Sequence, residues 1–120
     1  MVEAIVRNFL KEKLSVEVYM EEPENIPERY LIIEKTGGGK SNGLKSATMA
    51  IQSYAQSLAD ACLLNEEVKI ALEDIDSQNP ISKAELNADY NFTDTETKRY
   101  RYQAVYDFLY SLKFYFFHSG

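Results

Sequence analysis

A long stretch of strict alternation in the second half of the chain is the strongest constraint on its fold. Ala84, Leu86, Ala88, Tyr90 and Phe92 alternate with Lys83, Glu85, Asn87, Asp89 and Asn91. After the polar segment Thr93–Thr97, Tyr100, Tyr102, Ala104, Tyr106, Phe108 and Tyr110 alternate with Arg99, Arg101, Gln103, Val105 and Asp107. Successive side chains of a strand leave opposite faces, so a two-residue period marks a strand. Two such runs around a short polar turn predict an antiparallel hairpin. The row from Tyr100 to Tyr110 reads as the face that a helix covers.

The earlier elements follow from the same kind of reading. Val2, Ile5, Val6, Phe9 and Leu10 recur at the spacing of an amphipathic helix. From Leu14 to Glu21 the period drops to two, with Leu14, Val16, Val18 and Met20 on one side, which predicts a strand. Pro23 and Pro27 then make Glu21–Glu28 an extended acidic connection. A second strand is predicted from Arg29 to Thr36. Its centre, Tyr30-Leu31-Ile32-Ile33, is apolar throughout and predicts cover on both sides. Gly37-Gly38-Gly39-Lys40-Ser41-Asn42-Gly43 predicts a flexible glycine-rich loop over about residues 37–46, because ordering so many glycines costs backbone entropy. Alternation resumes over Leu44–Tyr54, with Ala47, Met49 and Ile51 opposed to Ser46, Thr48 and Gln52. A helix from about Gln56 to Ile75 carries the stripe Leu58, Ala61, Leu64 or Asn65, Val68, Leu72 and Ile75. Asp60, Glu66, Glu67, Glu73, Asp74 and Asp76 meet only Lys69 on its outer face, and Ser77-Gln78-Asn79-Pro80 ends it. The order α-β-β-β-α-β-β predicts one small α+β domain over residues 1–120, a mostly antiparallel sheet with helices packed on it.

Composition narrows the function classes. With 19 acids against 13 lysines and arginines in 120 residues, the net charge of −6 argues against general duplex-DNA binding, which draws on basic groups at phosphates. Cys62 is the single cysteine, so no intramolecular disulfide forms and a reducing compartment fits. It reads as a small buried hydrophobe. No apolar run approaches the ~18 residues of a membrane span. Met-Val-Glu-Ala-Ile has neither the basic start nor the apolar stretch of a signal peptide, so a soluble, non-secreted protein is expected.

Several segments invite a chemical reading. Gly39-Lys40-Ser41 matches the end of a phosphate-binding loop, but the full pattern needs glycine where Glu34 stands, and a strand rather than a helix follows. A long hairpin loop projecting from the sheet is favoured. His118 is the single histidine, has no metal-ligand spacing to Cys62, and supports neither a zinc site nor a Cys–His pair. No catalytic, cofactor or metal residue is therefore assigned, and no enzyme is expected. Arg99-Tyr100-Arg101-Tyr102 has the composition of a single-strand nucleic-acid platform, although alternation sends its arginines and tyrosines to opposite faces. A small nucleotide- or single-stranded nucleic-acid-binding domain is the rival reading. The aromatic C-terminal tail over residues 111–120 contains Phe114, Tyr115, Phe116 and Phe117. It marks either a contact with another chain or a continuation of the last strand into the core.

One segment carries a family resemblance. Residues 22–38, with Pro23, Pro27, Tyr30, Ile32, Lys35, Gly37 and Gly38, resemble the tail terminator proteins of long-tailed bacteriophages, also called tail completion or head–tail joining proteins. In that pattern a Pro-x-x-x-Pro connection leads to an aromatic–aliphatic strand ending in a basic residue, a small one and Gly-Gly. The alanine-rich helix and the Arg99-Tyr100 pair opening the last strand correspond as well. The aromatic tail has no counterpart there.

The resemblance implies a structural virion protein without cofactor or catalytic residue. It would form a homohexameric ring on the tail tube, end the tube's polymerisation and dock on the head connector or stopper protein. The implied partners are its own copies, the major tail tube protein and that connector. DNA would pass through the ring without specific binding, and no membrane is involved. The implied location is the virion tail, and the host cytoplasm during assembly. For such a ring, the acidic helix face and the basic side of the last strand, Arg99 and Arg101, are the expected complementary patches. The loop Gly37–Gly43 is expected to order against the tube. An acidic lumen would keep DNA from sticking.

Overall fold

The computed structural model describes residues 2–41, 43–77 and 80–111. Its elements are α1 (Val2–Leu14), β1 (Glu17–Tyr19), β2 (Tyr30–Ser41), β3 (Leu44–Ala55), α2 (Leu58–Leu72), a 3-10 turn (Ile75–Ser77), β4 (Ile81–Asn91) and β5 (Tyr100–Tyr110). The order is the α-β-β-β-α-β-β of an α+β domain, as the periodicities predict. The strands form one sheet in the order β1-β2-β3-β5-β4. Only the β1–β2 pair is parallel.

Both helices lie on one side of this sheet. Val2, Val6 and Leu10 of α1 and Leu64, Val68 and Leu72 of α2 share one core with Leu31, Ile33, Met49, Ile51, Ala104 and Phe108. The alternating row of β5 is thus the helix-covered row, as its period predicts. On the other face Tyr30, Ile32 and Tyr54 form a separate small cluster with Tyr19 against it. Tyr30-Leu31-Ile32-Ile33 is buried on both faces. The second face is buried by side chains of neighbouring strands rather than by a layer of helix.

Several boundaries differ from the sequence reading, each for a local reason. The strand predicted over Leu14–Glu21 is only Glu17–Tyr19. Leu14 closes α1, and Ser15 adopts a left-handed conformation (φ 51°) with its N–H on the Lys11 carbonyl. Val16 and Val18 keep the alternation and are buried, whereas Met20 is exposed where the proline-bearing connection peels away. The predicted helix from Gln56 to Ile75 is shorter. Ser57 caps it, its side chain accepting from the Asp60 N–H at 3.1 Å, and Ile75 belongs to the separate 3-10 turn. Leu58, assigned to the buried stripe, is exposed in the first turn. Cys62 is half-buried rather than buried.

The largest correction concerns the glycine-rich segment. It is not a loop: β2 runs on to Ser41, with Gly37 opposite Thr48, Gly38 opposite Ala47 and Lys40 opposite Lys45. Glycine favours turns through its access to positive φ, and of Gly37, Gly38, Gly39 and Gly43 only Gly43 uses it (φ 80°). A Cβ on Gly38 would lie 3.2 Å from both the Lys35 Cε and the Ser46 carbonyl. The missing side chain makes room for the folded-over lysine. The overlooked signal is the Asn-Gly dipeptide at 42–43, the preferred sequence of a two-residue hairpin turn. Asn42 itself lies outside the described residues.

Burial in the helix-side core pushes the Tyr106 hydroxyl up from its ordinary 10.0 to about 12. Unfolded chain releases this proton first, so the stabilisation is intact below pH 10 and lost as pH rises towards 12. Thermal melts across that window should show a falling midpoint, and Tyr106→Phe should reduce the fall. An identical slope in the variant would show that Tyr106 ionisation does not drive it.

Candidate assembly surfaces

The uncovered face of the sheet is crossed by a row of rings and guanidinium groups. Tyr19 meets Tyr30 edge-on at 5.9 Å, and Tyr30 stacks on Tyr54 at 4.7 Å with an interplanar angle of 3°. The register puts Tyr54 opposite Arg101, whose guanidinium donates to the Tyr54 hydroxyl at 2.8 Å and lies 4.4 Å from the Phe92 ring centre. Arg101 also donates through Nε to the Phe92 carbonyl at 2.6 Å. Arg99 covers the Tyr54 ring at 4.9 Å, donates to the Tyr30 hydroxyl and pairs with the Glu22 carboxylate.

These contacts set the titration of the group. Burial raises the Tyr30 pKa against the opposing pull of Arg99. Burial works against the Arg99 cation, but Glu22 and Tyr30 outweigh it and raise its pKa. Arg99 and Arg101, read from sequence as a basic patch, therefore have intrachain partners. Arg99 pins the acidic proline connection to the start of β5.

Farther along the same face, polar side chains form a ladder across three strands. Gln52 donates to Gln103 at 2.9 Å, and Gln103 donates to the Tyr90 hydroxyl at 2.6 Å. Asp107 accepts from the Thr48 hydroxyl and, at 2.6 Å, from the Asn87 amide. Those two bonds hold its carboxyl below its ordinary pKa. The ladder pairs these polar groups with one another and ties β3 and β4 to β5, which lies between them.

A different surface lies on the helix side. A groove of about 420 Å³ runs between α2 and β4, lined by Ile70, Leu72, Ala84, Leu86 and Tyr106 with Glu66, Lys69 and Glu73 at its rim. Ile70 is 63% exposed and Leu86 40%. Lys69 is already committed to Glu66 at 2.8 Å and Asp89 at 3.3 Å. Leu63 and Ile70, both exposed, were missed by a reading that followed only the buried stripe. Their seven-residue spacing puts them on one outer face of α2, amid the acids.

Other predicted positions separate clearly. Gly39, Lys40 and Ser41 lie in β2, which turns into β3, so no helix follows them to point amides at a phosphate. Tyr102 lies on the helix side, where the Cys62 thiol beside it raises its hydroxyl pKa. No group of three or more His, Cys, Asp or Glu that could hold a metal occurs among the described residues. None of their helices is long and apolar enough to cross a membrane. Phe114, Tyr115, Phe116, Phe117 and His118 lie outside the described residues. No protein-family model matches the chain, and no curated protein matches it.

Arg99→Ala removes charge-assisted bonds worth about 1–3 kcal/mol together and should lower the urea midpoint accordingly. It should also open residues 21–29 to limited proteolysis. Arg99→Lys should not rescue, because an ammonium lacks the planar fork that serves Glu22, Tyr30 and the Tyr54 ring at once. Unchanged midpoint and cleavage in the alanine variant would mean that Arg99 does not hold the connection.

Proposed function

We propose that this chain is a structural subunit that assembles as a ring on the end of a phage tail tube, stops the tube's growth and offers the head a docking surface. One observation carries the reading: the domain presents two surfaces of unlike character. One is an acidic helix side with an apolar groove. The other is the exposed β2–β3 hairpin, which carries Lys40 and Lys45. A ring needs unlike, complementary patches on each subunit, whereas a two-fold dimer needs one self-complementary patch. The described residues extend 45 × 25 × 24 Å, an elongated shape of the kind that can stand side by side. The resemblance of residues 22–38 to tail terminators and the α-β-β-β-α-β-β order add support.

In this reading the chain works by contact alone. The partners are its own copies, as a homohexamer, with the major tail tube protein on one side and the head connector on the other. The excess of acids suits a lumen that lets DNA slide past without binding. The place of action is the virion tail, reached from the host cytoplasm during assembly.

The test is growth of tail tubes with and without the purified chain, read by electron microscopy. Tubes should stop at a uniform length and carry a ring of extra mass at one end. Tubes of unchanged, open-ended length at saturating protein would overturn the proposal.

A further inference from the structure

The charges left without partners point to how two copies meet. Between Lys35 and Lys45 the chain carries three lysines and no Asp or Glu. Among the described residues none of Lys35, Lys40 and Lys45 joins an ion pair, whereas Arg29, Lys69 and Arg99 all do. Lys40 and Lys45 stand directly opposite each other across the hairpin. Like charges in that position repel, so in a lone subunit the pair is a cost. Lys45 is also opposite Tyr110, a residue of the helix-side core, so the lysine pair belongs to the helix-side face of the sheet. Among the described residues the outer edge of β2 has no partner strand beyond Ile32, where β1 ends.

The complementary surface is the groove between α2 and β4. Its floor is apolar, and Glu73 stands at its rim with Asp74 and Asp76 following in the chain. None of these three carboxylates forms an ion pair among the described residues. A lysine suits such a site because its aliphatic stem covers apolar surface while its ammonium reaches the rim. The Lys35 side chain folds over Gly38 on this same face and adds a third cation to it. Groove and hairpin belong to opposite halves of the sheet, the groove beside edge strand β4 and the hairpin on β2 and β3.

We propose that the lysine-bearing face of the β2–β3 hairpin docks across the acid-rimmed groove between α2 and β4 of a second copy of this chain. The contact is head-to-tail, since each copy uses its hairpin on one neighbour and its groove on the other. It rests on the ring-forming reading and names the surfaces that would join the ring. The lysine pair loses its repulsion when the carboxylates of the next subunit are added.

Carbodiimide cross-linking of the full chain at rising concentration tests it, because the reagent joins lysine amines to carboxylates in contact. Interchain links from Lys40 or Lys45 to Glu73, Asp74 or Asp76 are expected. Lys40→Glu with Lys45→Glu should weaken association by about tenfold or more, and so should Glu73→Lys with Asp74→Lys. All four substitutions in one chain should restore it, a rescue that mere damage to folding would not give. All these side chains are exposed, and circular dichroism would verify the fold of each variant. A wild-type chain that stays monomeric, links elsewhere, or tolerates either reversal would overturn the interface. So would reversed variants that associate normally but fail on tubes, since the hairpin would then serve the tube. Predicted links in a chain that leaves tube length unchanged would uphold the interface and remove the capping role. Capping by the charge-reversed variants would do the opposite.

Discussion

A sheet that carries both of its helices on one side must satisfy two faces by different means. On the covered side burial does the work: Phe108, Met49, Ile51 and Leu64 are removed from water together. Among the described residues no second layer supplies apolar contacts on the bare side. There the strands bury one another's side chains, through stacked Tyr30 and Tyr54, the two arginines laid over rings, and the glutamine and aspartate bonds. Polar groups in that position must be paired, because an unpaired one costs as much as its bond would have given. This accounts for the absorption of Arg99 and Arg101 into the fold.

The covered face was legible because its signal is periodic. The stripe Val2, Val6, Phe9, Leu10 and the row Ala104, Tyr106, Phe108 announce their partner before any coordinate is known. The bare face was not, since its logic is pairwise: Arg99 meets Glu22 and Tyr30 from far along the chain, and no spacing rule encodes that meeting. Arginine beside tyrosine in sequence looks like a binding platform, and in three dimensions it is also how an uncovered sheet closes itself. The hairpin misled for another reason. Glycine raises the entropy cost of order, which is a statement about the unfolded chain, whereas strand pairing with β3 decides the folded one.

With the arginines engaged, the distribution of the remaining charge changes meaning. In sequence the acids of α2 face a general scatter of lysines and arginines. In the fold the cations near α2 are consumed locally: Arg29 sits 3.4 Å from Glu67, and Lys69 holds Glu66 and Asp89. Among the described residues the carboxylates that follow Leu72 form no ion pair, and neither do the hairpin lysines. Surface ion pairs contribute little each, so this arrangement adds almost nothing to the stability of one subunit. In the proposed assembly its effect would be on which surfaces of two subunits repel and which attract.

That separation has a consequence for timing. An interface built on unlike charges over a modest apolar groove is weak for a single pair of subunits and falls with ionic strength. In the proposed ring each subunit would use both its hairpin and its groove, and the last contact would be made within one assembly at high effective concentration. On that proposal the chain would stay dispersed while dilute and gather where something else collects its copies, such as the end of a tube. In the proposed contact the repulsion of the opposed Lys40 and Lys45 would burden only the free subunit, which sharpens the contrast.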